Sequence, residues 1–443
     1  MRCFYFLNKI QYKYAIFGIY LSKMGEYMKS NIIVTGIKLL SGEIRISWSK
    51  NCALCLIAGA LLIKDEVIIN NVPYIEDVMQ FLKILNYLNV KTNFENNVLT
   101  INAKNMEVKD LLMDTVASFR ASYYLLGVLL NKIENFKISR FGGCNFVKRP
   151  INYHRDLFKH FGVDSIESDD CYEFCWREYL YDDYSLTYPS FGTSVNAILY
   201  ALGTNREIHI HNLTSEIEFV HFVMFLVNMG ANISLINDTA IIRPSTLHGG
   251  EFNNIPDRKE TGTFMLMGPI ICEKIKINNI CPAHNKALLD LFTLLDINYE
   301  LGNDYFVLEK QDIKKAVVIE TGFNEKISSD LQPILSVFCL NIKRISVIKE
   351  VVYPSRFTHV EPLKDMGGFI ALSNQNLLIN GIMDLYATSV EITDLRMGAA
   401  MIFASLTASG KSKITNLHYV ERGYENFIKK LKCLGADIEE YES

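Results

Sequence analysis

Six times along the chain, a stretch with apolar residues at helical spacing runs into a tight turn and then into a short stretch alternating apolar and polar residues. The turns fall at Leu88-Asn89-Val90, Phe161-Gly162-Val163, Met229-Gly230-Ala231, Leu295-Asp296-Ile297, Met366-Gly367-Gly368 and Leu434-Gly435-Ala436, so successive turns lie 66 to 73 residues apart. A period of this kind marks a repeat architecture. Gly, or the Asn and Asp that tolerate left-handed backbone best, stands where a chain leaves a helix. The residues after each turn, as in Asn232-Ile233-Ser234-Leu235 or Asp437-Ile438, alternate as half-buried antiparallel strands do. The pattern predicts an α/β fold in which a βαβαββ unit is used six times, three units to each of two domains.

Composition agrees with this division. At 443 residues the chain is too long for one ordinary core, and with 49% hydrophobic and 21% charged residues it is globular in character. A net charge of −4 supplies no global basic field for nucleic acid or an anionic membrane. An anionic substrate must therefore be met by a local cluster of cations. The longest apolar run, Cys52 to Ile63, falls short of the roughly 18 residues a membrane span requires. The expectation is a cytoplasmic monomer without cofactor or metal and without nucleic-acid or membrane partners. Residues 1–28 are aromatic-rich and basic but fit no repeat, and Ala15 to Ser22 is not followed by a small-x-small cleavage site. They are expected to be an extension outside the fold, with Met28 a candidate start.

Ten cysteines without framework spacing point to a reducing compartment. Cys52 and Cys55 lie in the long apolar run with no second pair at zinc-binding spacing, so they are expected to be small buried hydrophobes, and Cys171 and Cys175 carry no stronger signal. Cys144 stands apart. It sits in Phe141-Gly142-Gly143-Cys144-Asn145-Phe146-Val147-Lys148-Arg149-Pro150, where two glycines, two bases and a proline predict an exposed loop. A thiol beside cations has its thiolate favoured, which suits proton transfer or nucleophilic work.

Eight short stretches, in order along the chain, carry a resemblance. They are Ser49-Lys50-Asn51 with Ala53-Leu54, Phe119-Arg120-Ala121-Ser122, the Gly142-Gly143-Cys144 to Arg149-Pro150 loop, and Pro256-Asp257-Arg258-Lys259-Glu260-Thr261-Gly262-Thr263-Phe264. Asp330-Leu331-Gln332, Arg356-Phe357-Thr358-His359-Val360, Thr393-Asp394-Leu395-Arg396 and Glu421-Arg422-Gly423-Tyr424-Glu425 complete the series. From about Lys29 to the C-terminus the sequence resembles the enolpyruvyl transferases, and among them the branch whose acceptor is UDP-N-acetylglucosamine. The resemblance implies two inverse α/β barrels facing each other across a cleft, one formed by residues 50–254 and the other by 29–49 together with 255–443. It also implies transfer of the enolpyruvyl group of phosphoenolpyruvate to the sugar 3-hydroxyl with release of phosphate, the first committed step of peptidoglycan synthesis.

Phosphoenolpyruvate carries a charge of about −2.5 to −3, so a water-poor cleft must supply several cations. The resemblance assigns Lys50, Asn51, Arg149, Arg396 and Arg422 to it, with Arg120 and Arg356 extending the positive lining. Cys144 matches the proton donor to the methylene carbon, and Asp330 the carboxylate facing the acceptor hydroxyl; Asp394 matches an assistant in proton traffic. Lys50 and Arg149 would stabilise charge on the departing phosphate, with Arg422 also in the catalytic set. For the nucleotide sugar the matching residues are Asn51, Arg120, Arg149, Pro150, Ile151, Asn152, Tyr153, Ser190, Phe191, Asp330 and Val352. His154 matches a family histidine, with a purely structural role equally open.

Departures cluster on acceptor recognition. Tyr188 stands where the family usually places a lysine against the diphosphate, Asn152 replaces an aspartate of the uracil loop, and His221 stands where an aspartate is common. Trp48 and the bulky Phe146-Val147-Lys148 are also unusual for the family. Two alternatives stay open on the sequence: an enolpyruvyl transferase acting on another nucleotide or hydroxyl acceptor, and a catalytically weak ligand-binding homologue.

Overall fold

The structure, a computed structural model, describes residues 30–142, 151–179, 181–323, 326–381 and 383–442. The extension at 1–28 and loop residues 143–150, which include Cys144, Arg149 and Pro150, lie outside the described residues.

All six expected turns are left-handed, with φ of 59° at Asn89, 87° at Gly162, 94° at Gly230, 56° at Asp296, 92° at Gly367 and 91° at Gly435. Five of them close with a paired hydrogen-bond pattern, as where Ala436 N donates to Leu431 O and Gly435 N to Lys432 O. These bonds satisfy carbonyls that the helix end would otherwise leave unpaired. After every turn comes a strand that pairs antiparallel with a neighbour, from Lys91–Glu95 on Val98–Asn102 to Asp437–Glu442 on Ser30–Thr35.

Six sheets result among the described residues. Five contain a parallel pair extended by two antiparallel pairings, the hydrogen-bonded form of βαβαββ. In the sixth, Asn135–Ser139, Cys171–Trp176 and Val163–Glu167 form the antiparallel part, and a parallel bridge from Leu111 to Ile138 stands where the fourth strand would lie. Some strands are supplied from far away in sequence. Gly250–Asn253 pairs parallel with Glu66–Asn70, Leu40–Arg45 pairs parallel with Cys272–Asn278, and Ser30–Thr35 inserts between Lys411–Thr415 and Asp437–Glu442.

Each unit uses its helices differently. One is buried around its whole circumference: Lys50–Ala60, Tyr124–Leu129 and Phe191–Leu202 in one set of three sheets, Arg258–Ile271, Gln332–Leu340 and Leu395–Thr407 in the other. The other is amphipathic and half-exposed, as Glu76–Tyr87 is, and carries the left-handed turn at its end. Helices hydrophobic all round must lie inside, so sheets and amphipathic helices wrap each inner bundle. Two separate cores result. The first lobe is filled by residues between Cys52 and Ile242, the second by Ile32 to Ile46 and Phe264 to Ile438. Cys52 and Cys55 are free and buried in the first core, and burial raises both thiols above their ordinary range.

Candidate active site

The inner helices begin where the chemistry gathers. Ser49 caps Lys50–Ala60, Ser190 caps Phe191–Leu202, Asp257 caps Arg258–Ile271 and Asp394 caps Leu395–Thr407, each accepting from backbone amides of the first turn. Asp330 sits in the short turn leading into Gln332–Leu340. An N-cap must be a short polar residue, and the residues beside these caps include Lys50, Asn51, Phe191, Lys259 and Arg396. Hydrogen bonds and ion pairs then link four of the helix starts. Lys50 N donates to Asp257 Oδ2 at 3.3 Å, Lys259 Nζ lies 3.6 Å from Asp330 Oδ2, and Arg396 Nη2 donates to the same oxygen at 2.9 Å. Helix N-termini carry partial positive charge, so the arrangement favours an anionic ligand even before the side chains are counted.

Two carboxylates organise the cations. Asp77, in the first turn of Glu76–Tyr87, meets Lys50 Nζ at 2.5 Å and Arg422 Nε at 3.0 Å. Burial alone would raise its carboxyl, but Lys50 and Arg422 outweigh that and hold it below the ordinary range. Lys50 is seated against Gly423, where an added Cβ would come within 3.3 Å of Nζ and 2.5 Å of Leu395 Cδ2, so a side chain there would push on both. Asp330 receives Arg356 Nη1 on Oδ1 at 2.8 Å as well as Arg396 and Lys259 on Oδ2. Burial opposes its charge, yet Arg396, Arg356 and Lys259 together depress its carboxyl well below the usual value.

Between these clusters, the Arg396 guanidinium lies 5.4 Å from the centre of the Tyr424 ring, whose hydroxyl is 2.9 Å from Thr263 Oγ1. Thus, of the expected set, Lys50 and Arg422 gather on Asp77 and Arg356 and Arg396 on Asp330, two charged clusters at the lobe junction tied by the bond from Lys50 N to Asp257. Asp394 is occupied differently. Its Oδ1 accepts from Arg396 N and Met397 N, and its Oδ2 accepts from Thr358 Oγ1 at 2.7 Å.

The described residues among those expected to meet the acceptor lie on several elements. Asn51 lies in the first turn of its inner helix, and Arg120 opens a short helical turn with its guanidinium 5.6 Å from the Tyr123 ring centre. Buried Ile151 precedes Asn152–His160, whose first residue, Asn152, is exposed. Val352 N donates to Glu350 Oε1 at 2.8 Å; Glu350 is itself buried and also accepts from Thr321, Ser329 and Tyr353. Tyr153 stacks on Tyr188 with ring centres 5.5 Å apart, and Tyr188 meets Phe323 of the second lobe edge-on at 5.2 Å. Burial raises the Tyr188 hydroxyl above its ordinary range, so it is neutral and provides no substitute for a lysine's charge. Buried His154 shares Nδ1 with the Asn196 amide at 2.9 Å, and burial together with Arg120 pushes its pKa down to about 3. It is therefore neutral at physiological pH. His221 bonds Asn253 O through Nε2 at 2.8 Å, a contact that fastens its helix to strand Gly250–Asn253.

Asp77, Lys259 and Glu350 are not among the residues expected at the site from the sequence. Asp77 resembles an ordinary first-turn helix acid, and Lys259 is one charge within a longer motif. Among the described residues no group of three or more His, Cys, Asp or Glu could hold a metal ion, and no helix is long and apolar enough to cross a membrane.

Comparison with known proteins connects this lining to a chemistry. The family model described as EPSP synthase (3-phosphoshikimate 1-carboxyvinyltransferase) matches residues 34–431. UDP-N-acetylglucosamine 1-carboxyvinyltransferase 2 of Listeria monocytogenes serovar 1/2a is 33% identical over 414 residues, covering 93% of this chain and 98% of that protein. The protein of the same name from Clostridium tetani is 32% identical, covering 92% and 99% of the two chains. Among solved structures, the enolpyruvyl transferase NikO from Streptomyces tendae superposes with a TM-score of 0.86 at 21% identity, over 94% of this chain and 99% of that one. EPSP synthase from Acinetobacter baumannii gives a TM-score of 0.71 at 14% identity, over 94% of this chain and 100% of that one.

Proposed function

The chain belongs to the EPSP synthase family of enolpyruvyl transferases and has its fold of two inverse α/β barrels, and on that footing we propose that it transfers the enolpyruvyl group of phosphoenolpyruvate to the 3-hydroxyl of UDP-N-acetylglucosamine. Phosphate is the second product, and the reaction opens peptidoglycan synthesis. The observation that carries the proposal is the pair of cationic clusters at the lobe junction, Lys50 and Arg422 on Asp77 and Arg356 and Arg396 on Asp330.

In this reading Lys50, Arg396 and Arg422, with Asn51 and Arg149, take the phosphate and carboxylate of phosphoenolpyruvate. Cys144 donates a proton to its methylene carbon as the sugar oxygen bonds to the adjacent carbon, and Asp330 accepts the hydroxyl proton. A tetrahedral ketal forms. Loss of a proton from its new methyl group, with departure of phosphate, restores the double bond and yields the enolpyruvyl ether. The cations stabilise the charge carried off by phosphate, with the strength that preformed charges have in a water-poor site. Residues 50–254, and 29–49 with 255–443, are the two bodies that would close on the substrates, excluding water and bringing the Cys144 loop over them.

The stack of Tyr153 on Tyr188 favours a second reading, in which the acceptor is another nucleotide or hydroxyl compound. One assay separates the two. Purified protein is incubated with phosphoenolpyruvate and either UDP-N-acetylglucosamine or other nucleotides, and phosphate release is followed. Release with UDP-N-acetylglucosamine is the expected result; release only with another acceptor would replace the first reading by the second.

A further inference from the structure

Lys259 is an unusual residue to bury. It is 4% exposed, lies in the first turn of the inner helix Arg258–Ile271, and points its ammonium between carboxylates of both lobes. Its Nζ is 3.4 Å from Glu218 Oε1 of the first lobe and 3.6 Å from Asp330 Oδ2 of the second. Glu218, 1% exposed, is held by Arg258 Nε, which donates to Oε1 at 3.0 Å and to Oε2 at 3.1 Å, and Arg258 Nη2 also reaches Glu216 at 2.7 Å. A chain of alternating charge therefore runs Asp330, Lys259, Glu218, Arg258, Glu216 from the lining into the protein.

The three cations on Asp330 are not equivalent. Arg396 belongs to the lining proposed to receive phosphoenolpyruvate, and Arg356 stands beside Val352 and Tyr353 on the acceptor side, with its guanidinium 4.3 Å from the Tyr353 ring centre. An arriving phosphate or diphosphate competes with Asp330 for both. Lys259 is shielded from that competition because it is buried and braced from behind by Glu218.

Resting on the reading of Asp330 as the proton acceptor, we propose that Lys259 is a positioning residue for this carboxylate, keeping it ionised and in place after the arginines have turned to the substrates. Lys259 itself touches no substrate. It acts through Asp330, and Glu218 ties that action to the contact between the lobes. The groups that set the balance are Arg356, Arg396 and Lys259 around Asp330, and Glu218, Glu216 and Arg258 around Lys259.

A cation at this distance favours the ionised carboxylate, so its removal raises the pH at which Asp330 takes up a proton, by about one unit or more. Because the base must be unprotonated, the acid limb of kcat moves to higher pH.

The test measures kcat for phosphate release with phosphoenolpyruvate and UDP-N-acetylglucosamine from pH 8.5 down through the acid limb, as far as the folded protein allows. In Lys259→Met the midpoint of the acid limb of kcat should move to higher pH by about one unit or more relative to wild type, and Lys259→Arg should restore it. An unmoved acid limb, or a uniform loss at every pH, would overturn the proposal, since a merely structural residue gives one of those two results. If Lys259→Met does not fold, Glu218→Gln is the second variant. With Lys259 no longer shared, Asp330 becomes a weaker base and turnover at pH 8.5 should drop several-fold, while an unchanged rate counts against the idea. Should wild type turn over no acceptor, the proposed function fails instead. The point about Lys259 is then decided by 13C NMR titration of the Asp330 carboxyl, assigned with Asp330→Asn, in wild type and Lys259→Met.

Discussion

Arg422 donates from Nε to Oδ1 of Asp77 at 3.0 Å, joining a residue of the second lobe to one of the first across 345 positions of sequence. Lys50 holds the other oxygen of the same carboxylate. Asp77 thereby keeps two cations together that would otherwise repel each other, at the place proposed to receive phosphoenolpyruvate.

Asp77→Asn removes the shared counter-ion of a buried group, which costs about 3 kcal/mol when the remaining partners stay unpaired. The variant is expected to melt several degrees below wild type by circular dichroism and to show a KM for phosphoenolpyruvate raised about tenfold. An unchanged KM would separate Asp77 from the substrate cations.

Cys144→Ser is expected to reduce phosphate release to near background and to leave UDP-N-acetylglucosamine binding, measured by calorimetry, within about twofold of wild type. A hydroxyl is far less acidic than a thiol and a poorer proton donor to carbon. An undiminished rate would remove Cys144 from the reaction. An epoxide phosphonate resembling phosphoenolpyruvate should alkylate this thiol, and mass spectrometry locating the adduct on another residue would contradict the assignment.

Tyr188→Lys restores a charge that the family usually directs at the acceptor diphosphate. A charge-assisted hydrogen bond contributes about 1.5–3 kcal/mol, so KM for UDP-N-acetylglucosamine should fall about tenfold. No fall would mean that position 188, beside Tyr153 and Phe323, does not face the diphosphate.

Glu421, next to Arg422, has its carboxyl pushed up to about 7, first by burial and then by Glu440, and its Oε2 is buried without a hydrogen-bond partner. An acid whose folded pKa is raised binds its proton more tightly when folded. It favours the fold below its unfolded value near 4.5, and that contribution is lost as pH rises through about 7. Glu421→Gln should therefore raise the melting temperature at pH 8, by an amount corresponding to about 2 kcal/mol, and leave it unchanged at pH 4.5. Equal effects at both pH values would rule out titration of Glu421 as the cause.

Much of the fold is legible in the sequence because its signals are local. A Gly, Asn or Asp at the end of an amphipathic helix needs no distant partner to adopt positive φ, and all six turns do so. The run from Cys52 to Ile63 stands out as long and apolar, but its meaning comes from the structure, which places it as the first of six inner helices. The site is legible in part. Lys50, Arg356, Arg396, Arg422 and Asp330 can be read as a set because they stand in short matching motifs, whereas Asp77 stands in none, and Lys259 stands in one that gives it no role.

By itself, then, the sequence determined the repeat, its punctuation and the stock of cations, since each depends on residues a few positions apart. The tertiary structure decided which carboxylate faces which cation. That pairing rests on Coulomb forces over 3 to 4 Å between groups as distant in the chain as Asp77 and Arg422, or Glu218 and Lys259, and only the packing of the two lobes against each other brings such groups within range.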